Sequence, residues 1–236
     1  VIADGYWAAK QGRDALKLEW DSSGVEKVDS AKQLAQYREL ATKPGARKYD
    51  ADVSALANAT HTLNAEFVFP YLAHAPMEPL NCTIRVAGDK AELWMGSQMP
   101  GLDGMAASKA LGVPPQNVQV HVQMAGGGFG RRAIPSSDYV VEACNVVKAA
   151  QVAGITAPIR TLWSREDDIK GGYYRPMHLH TAKIGFDAQG KVSAWDHVIV
   201  GQSILTGSPF EPMLVKDGID ATATEGMKEP YELPLR

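Results

Sequence analysis

Val118-Gln119-Val120-His121-Val122, followed by Gly126-Gly127-Gly128-Phe129-Gly130-Arg131-Arg132, is the stretch on which the reading of this chain turns. An alternating apolar run leads into four glycines and two arginines, and an apolar segment of helical period follows. Such a strand-to-loop-to-helix passage brings backbone N–H groups against an anionic group, because glycine permits positive φ and close approach. The arginines add fixed charge with a fork geometry suited to phosphate. A tight turn with a solvated arginine pair fits the same residues, so the loop alone leaves both readings open. The common nucleotide fingerprints fail. A G-x-G-x-x-G loop starting at Gly126 needs glycine where Arg131 stands, and no Lys-Ser/Thr follows the glycines as a Walker loop requires.

The 236 residues suffice for one large domain or two small ones. Hydrophobic content of 45% and charged content of 22% are those of an ordinary globular chain. A net charge of −3 and the lack of a basic patch interleaved with aromatics give no case for nucleic acid. The longest apolar stretch, Tyr139–Val147, is interrupted by Glu142 and Asn145 and is too short to span a membrane. The two cysteines, Cys82 and Cys144, have no C-x-x-C spacing, which excludes a cysteine-held cluster or zinc knuckle within the chain. Cys144 shares a helical face with Val140 and Val147 and reads as core.

Around the glycine loop the pattern predicts a mixture of elements. Val1–Ala3 and Lys17–Trp20 read as short strands, and Tyr6–Leu16 as a helix. Asp29-Ser30 caps a helix running to about Ala41, which Pro44-Gly45 closes off. Residues 46–58 read as a connection with one helical turn. Strands are expected over His61–Phe69, Cys82–Val86, Ala91–Met95, Val118–Gln123, Ile159–Trp163, His178–Phe186 and Val192–Val200. Helices are expected over Leu102–Leu111 and from a cap at Ser136, Ser137 or Asp138 to about Val152. Strands and helices without strict βαβ alternation predict an α+β fold of mixed sheets with packed helices. The opening Val1-Ile2-Ala3-Asp4 and the extended close Pro230–Arg236 suggest a piece of a longer protein. The expected division is the end of a small α/β domain over 1–22, a connecting segment over 23–60 and a cofactor-binding domain over 61–236.

Four separated motifs then fall into one order: His74-Ala75-Pro76-Met77-Glu78-Pro79-Leu80-Asn81; Ser97-Gln98-Met99-Pro100; Gly126–Arg132; and Trp163-Ser164-Arg165-Glu166-Asp167-Asp168 with Tyr174-Arg175-Pro176. In this order and spacing the chain resembles the molybdenum-binding large subunit of the xanthine dehydrogenase/aldehyde oxidase family, in the branch of isoquinoline 1-oxidoreductase β-subunits and membrane-associated aldehyde dehydrogenases. The resemblance runs from Tyr6-Trp7-Ala8-Ala9 to Glu229-Pro230-Tyr231. It implies oxidation of an aldehyde or N-heterocycle with oxygen drawn from water. It also implies a molybdenum cofactor in its molybdopterin cytosine dinucleotide form. Electrons would pass to 2Fe-2S clusters on a separate small subunit, with a cytochrome c as a further candidate partner. A periplasmic or periplasm-facing location goes with that branch, although the chain carries no signal for it.

The resemblance also implies roles for residues. Gln98 stands where the family's glutamine approaches the oxo ligand of the metal, and a neutral amide donor suits that task. Gly126, Gly127, Gly128, Phe129 and Gly130 match the loop whose amides face the cofactor, with Phe129 walling the substrate pocket. Arg175, before Pro176, matches a step that the family keeps close to its active centre. Two departures stand out. Arg131-Arg132-Ala133 replaces the family's frequent Gly-Lys-Glu, so a substrate-orienting carboxylate is missing and purines become poor candidates. The two arginines then read as phosphate contacts or as loop-stabilising groups. The family's Gly-Glu general base has no counterpart and is expected beyond Arg236, so the chain by itself is expected to be inactive.

Outside the resemblance, Glu78 reads as a turn acid or a pocket carboxylate. His178 and His180 share one strand face without a third metal ligand in register, and Arg165–Asp168 reads as a solvated, locally paired loop.

Overall fold

The computed structural model describes residues 1–227. Its elements run in chain order as α1 (Tyr6–Asp14), α2 (Ser30–Ala41), β1 (His61–Phe69), β2 (Asn81–Ala87), β3 (Lys90–Met95), α3 (Pro100–Leu111), β4 (Val118–Val122), α4 (Asp138–Val152), β5 (Ile159–Leu162), α5 (Arg165–Lys170), β6 (His178–Phe186) and β7 (Val192–Gly201). Short elements complete the described chain. The arrangement is α+β, with a mixed four-stranded sheet of order β4-β3-β2-β5 and an antiparallel sheet of order β1-β6-β7.

Each element follows from local chemistry. Asp29 accepts hydrogen bonds from the Ala31 and Lys32 amides and starts α2. Gly88, at φ 61°, turns β2 into β3. Pro100 opens α3, and Gly112, at φ 71°, closes it. The main core lies where α3 and α4 pack on the four-stranded sheet. The inward residues Cys82, Ile84, Leu93 and Met95 meet Ala107, Val140, Ala143 and Cys144 there. Both cysteines are free thiols in this core. A smaller cluster, Tyr37 with Met177 and Leu179, seats α2 on the second sheet.

Several elements depart from the sequence reading. Val1–Ala3 and Lys17–Trp20 form no strand: alternation without a neighbour leaves the ladder groups unpaired, and Leu18 and Trp20 are exposed. Ser137 takes the N-cap position of α4 in the left-handed region, φ 48°, and its hydroxyl makes no capping bond. A capping side chain needs the extended backbone that aims it at the first turn. Arg165–Lys170 is a helix, not a loop. Ser164 and Asp167 form a reciprocal capping box, and Asp168 is buried against Arg165. The extended segment expected at Pro230–Arg236 lies outside the described residues.

β3 and β4 are parallel, while β2 runs antiparallel to β3 and β5 antiparallel to β2. The start of β2 and the ends of β3, β4 and β5 therefore share one edge of the sheet. Each of the four sequence motifs flanks one of these strand ends.

Candidate functional site

At this edge the segment before β2, the Gly96–Met99 turn after β3, the glycine loop after β4 and the Trp163–Asp168 segment after β5 come together. Arg132 holds the first three. The residue is 1% exposed, and its guanidinium donates through Nε to the Gly127 carbonyl (2.9 Å), through Nη1 to the Gly96 carbonyl (3.3 Å) and through Nη2 to the Glu78 carbonyl (3.1 Å). Nη2 also pairs with Glu78 Oε2 at 2.9 Å. Glu78 Oε2 accepts the Gly126 N–H (2.9 Å), and its Oε1 accepts from Asn81 Nδ2 (2.9 Å). Burial pushes the Glu78 carboxyl up, but the Gly126 N–H, the Asn81 amide and the Arg132 charge together hold it below the usual carboxylate range.

Gln98 is exposed and fixed in orientation. Its Oε1 accepts from the backbone N–H groups of Gly130 and Arg132, both at 3.2 Å, and its own N–H donates to the Arg132 carbonyl (3.1 Å). Two N–H donors facing one amide atom require that atom to be oxygen, so the NH2 group points away from the loop. Among the described residues it donates to no acceptor. Gly128 allows this seat: a Cβ there would stand 2.5 Å from Gln98 Oε1 and 2.9 Å from its Cδ.

The loop backbone is unusual. Gly127 and Gly130 have φ of 103° and 94°, and Phe129 between them has φ 55°, in a region where bulky residues are genuine outliers. Strained backbone of this kind collects at ligand sites. Among the described residues, the successive N–H groups of Gly127, Gly128 and Phe129 donate to no protein acceptor. Phe129 is 76% exposed, and Met77 and Met124 beside the loop are exposed as well.

The second arginine is spent elsewhere. Arg131 is buried, makes a two-point ion pair with Asp138 (2.9 and 2.7 Å) and lies over the rings of Trp163 and Tyr173. Neither Arg131 nor Arg132 presents its guanidinium outward: Arg132 braces the loop against Glu78, and Arg131 is paired with Asp138. Their burial was hidden in the sequence because their partners are carboxylates that read as surface residues. Arg165 ties Asp168 to the carbonyls of Pro76 and Met77. Arg175 sits further out: it bridges Leu72 through the backbone and donates Nη2 to the Pro70 carbonyl (2.7 Å), with no hydrogen bond to Gln98 or the glycine loop. His180 and His197 approach at 3.2 Å on the other sheet, away from this edge, and no group of three metal-ligating side chains occurs among the described residues.

The molybdopterin cofactor-binding domain family matches residues 39–234. The chain belongs to that family. It is 38% identical over 189 residues to the isoquinoline 1-oxidoreductase subunit beta of Brevundimonas diminuta, covering 74% of this chain and 23% of the relative. It is 28% identical over 201 residues to a membrane-bound aldehyde dehydrogenase of Gluconacetobacter polyoxogenes named for pyrroloquinoline quinone, covering 84% of this chain and 25% of that protein. The chain thus spans about a quarter of the length of these curated relatives. The fold is also that of quinoline 2-oxidoreductase from Pseudomonas putida 86, at a TM-score of 0.53 and 19% identity, over 62% of this chain and 18% of the other. Aldehyde oxidoreductase from Desulfovibrio gigas gives 0.51 and 17%, over 70% and 17%.

Proposed function

We propose that this chain is the part of a molybdenum hydroxylase large subunit that carries the glycine loop and the glutamine of the cofactor site. The observation that carries the reading is the pairing of Gln98 with that loop. One neutral NH2 group is locked outward beside three free backbone N–H groups, at the carboxyl ends of two parallel strands. Ligands of open sheets gather at such ends. The donor set fits an oxygen- or sulfur-rich anionic group: it supplies hydrogen bonds without an unpaired side-chain charge, and glycine leaves room for close approach.

When bound, the molybdenum cofactor supplies the two-electron chemistry: substrate C–H and water become C–OH, two protons and two electrons. The chain's own residues do the rest. Gln98 would help hold the cofactor through its outward NH2 group, the amides of Gly127–Phe129 would orient it, and Phe129 would form a wall against an apolar substrate. The cytosine dinucleotide form of the cofactor, electron transfer to a 2Fe-2S subunit and onward to a cytochrome c, a periplasm-facing location and a general base elsewhere in the full-length protein belong to the same proposal. The substrate is an aldehyde or N-heterocycle. Glu78, Arg131, Arg132 and Arg165 are all internally paired.

The test is Gln98→Ala in the full-length protein, co-produced with its small subunit and assayed with quinoline and an artificial electron acceptor in 18O-labelled water. Label in the product and a fall in turnover of about tenfold or more, with the fold retained, are expected. Turnover equal to wild type would remove Gln98 from the site. A protein that binds no metal and oxidises nothing would instead be a scaffold that keeps the fold alone.

A further inference from the structure

We propose that Glu78 is a positioning residue of this site, acting on Gln98 through Arg132 and not through contact with substrate. The proposal rests on the reading of the site given above. The chain of contacts is continuous. Both carboxylate oxygens of Glu78 are occupied, Oε1 by Asn81 and Oε2 by the Gly126 N–H and Arg132 Nη2. Arg132, with its side chain fully buried, has Glu78 as its ion-pair partner among the described residues. Arg132 in turn holds Gln98 by its own backbone: its N–H donates to Oε1 and its carbonyl accepts the Gln98 N–H.

Two physical consequences follow. A buried guanidinium that loses its counter-charge cannot stay where it is, because an unpaired buried charge is among the costliest defects in a protein. When Arg132 moves, the Gly127 carbonyl loses its donor and the Gly96 carbonyl keeps only the Tyr139 hydroxyl, so the side-chain link between the two walls of the site, the Gln98 turn and the glycine loop, is lost. The close fit around Gly126 adds to this coupling: a Cβ there would lie 2.5 Å from Glu78 Cβ, so the loop is seated directly on this residue. Glu78 therefore sets the direction of the Gln98 NH2 group through Arg132 and the glycine loop.

Glu78→Gln keeps the size and removes the charge, and it sets an amide NH2 against the Asn81 donor. Hydrogen exchange is read over residues 126–132 in the full-length protein, with and without cofactor, alongside kcat and KM for a neutral aldehyde. Exchange is expected to rise roughly tenfold or more in both forms. At the same time kcat is expected to fall by a similar factor, with KM changed less than about threefold, because the interaction lost is one made by the chemistry and not by substrate binding. Unchanged exchange together with a raised KM would overturn the proposal and make Glu78 a substrate contact. If Glu78→Gln fails to fold, Arg132→Lys, which keeps the charge but loses the fork, serves in its place. It is expected to raise exchange over the same peptide, and wild-type exchange would overturn the proposal. Exchange in the cofactor-free protein tests the brace whether or not molybdenum is bound, while metal content tests the reading beneath it.

Discussion

Replacing Gly128 by alanine adds one methyl group 2.5 Å from Gln98 Oε1 and 2.9 Å from its Cδ. The φ of Gly128 is not in the left-handed region, so the backbone itself accepts alanine and the perturbation is steric alone. The atom displaced is the end of a flexible side chain, so Gln98 gives way and leaves the Gly130 and Arg132 amides, each 3.2 Å from Oε1. Two net hydrogen bonds are worth about 1–3 kcal/mol. Alanine returns about 0.4–1 kcal/mol by restricting the unfolded chain. The net cost is about 0–2.6 kcal/mol, which lowers Tm by up to about 10 °C for a chain of this size. Gly88→Ala is the control: its φ of 61° strains an alanine by about 1–2 kcal/mol, with nothing within 4 Å to disturb. The two variants should thus melt within a few degrees of each other, followed by circular dichroism. Gly128→Ala should lose tenfold or more in kcat while Gly88→Ala keeps wild-type turnover. Equal turnover in the two variants would refute the seat assigned to Gln98.

Two further outcomes are expected. Burial first, then the neighbouring His197 and His178, hold His180 down to about 4, and burial also lowers His178 and His197. The unfolded chain binds protons at these sites from about pH 6.5 downward while the folded chain does not, so stability falls as pH drops from about 6.5 toward 4. Urea midpoints measured across that window should decline less in His180→Gln than in the wild type, and identical slopes would contradict the assignment. Burial also pushes the Cys144 thiol up to about 12 and the Cys82 thiol higher still. Neither should react with a thiol reagent at pH 8 until denaturant is added, and rapid labelling of the folded protein would show the main core to be misassigned.

The residue types and boundaries of the central strands were legible in the sequence because period-two alternation bounded by glycine or proline is a local signal. His61–Phe69 and the Gly88-Asp89 hairpin show it directly. Where alternation lacked a partner strand, as at Lys17–Trp20, the same signal misled, since pairing depends on residues far away in sequence. The four motifs were legible as a set, but their meeting place was not. It follows from the parallel β3–β4 pair and the two antiparallel neighbours, which put one end of each strand at a single edge. The arginines show what sequence hides. Arg132 finds its counter-charge at Glu78, far upstream in the chain, and no local pattern marks Arg132 as buried. The capping box at Ser164 and Asp167, by contrast, is legible in the sequence as Ser-x-x-Asp, overlapping the charge run Arg165–Asp168.

The central claim is that this chain holds a molybdenum cofactor as part of a larger oxidoreductase. Elemental analysis of the full-length protein, produced with the proposed small subunit in a host that makes the cofactor, tests it most directly. About one molybdenum per chain, lost in part when Gly128 becomes alanine, is the expected result. A protein without molybdenum, whether empty or carrying a quinone like that in the name of the Gluconacetobacter relative, would contradict the account.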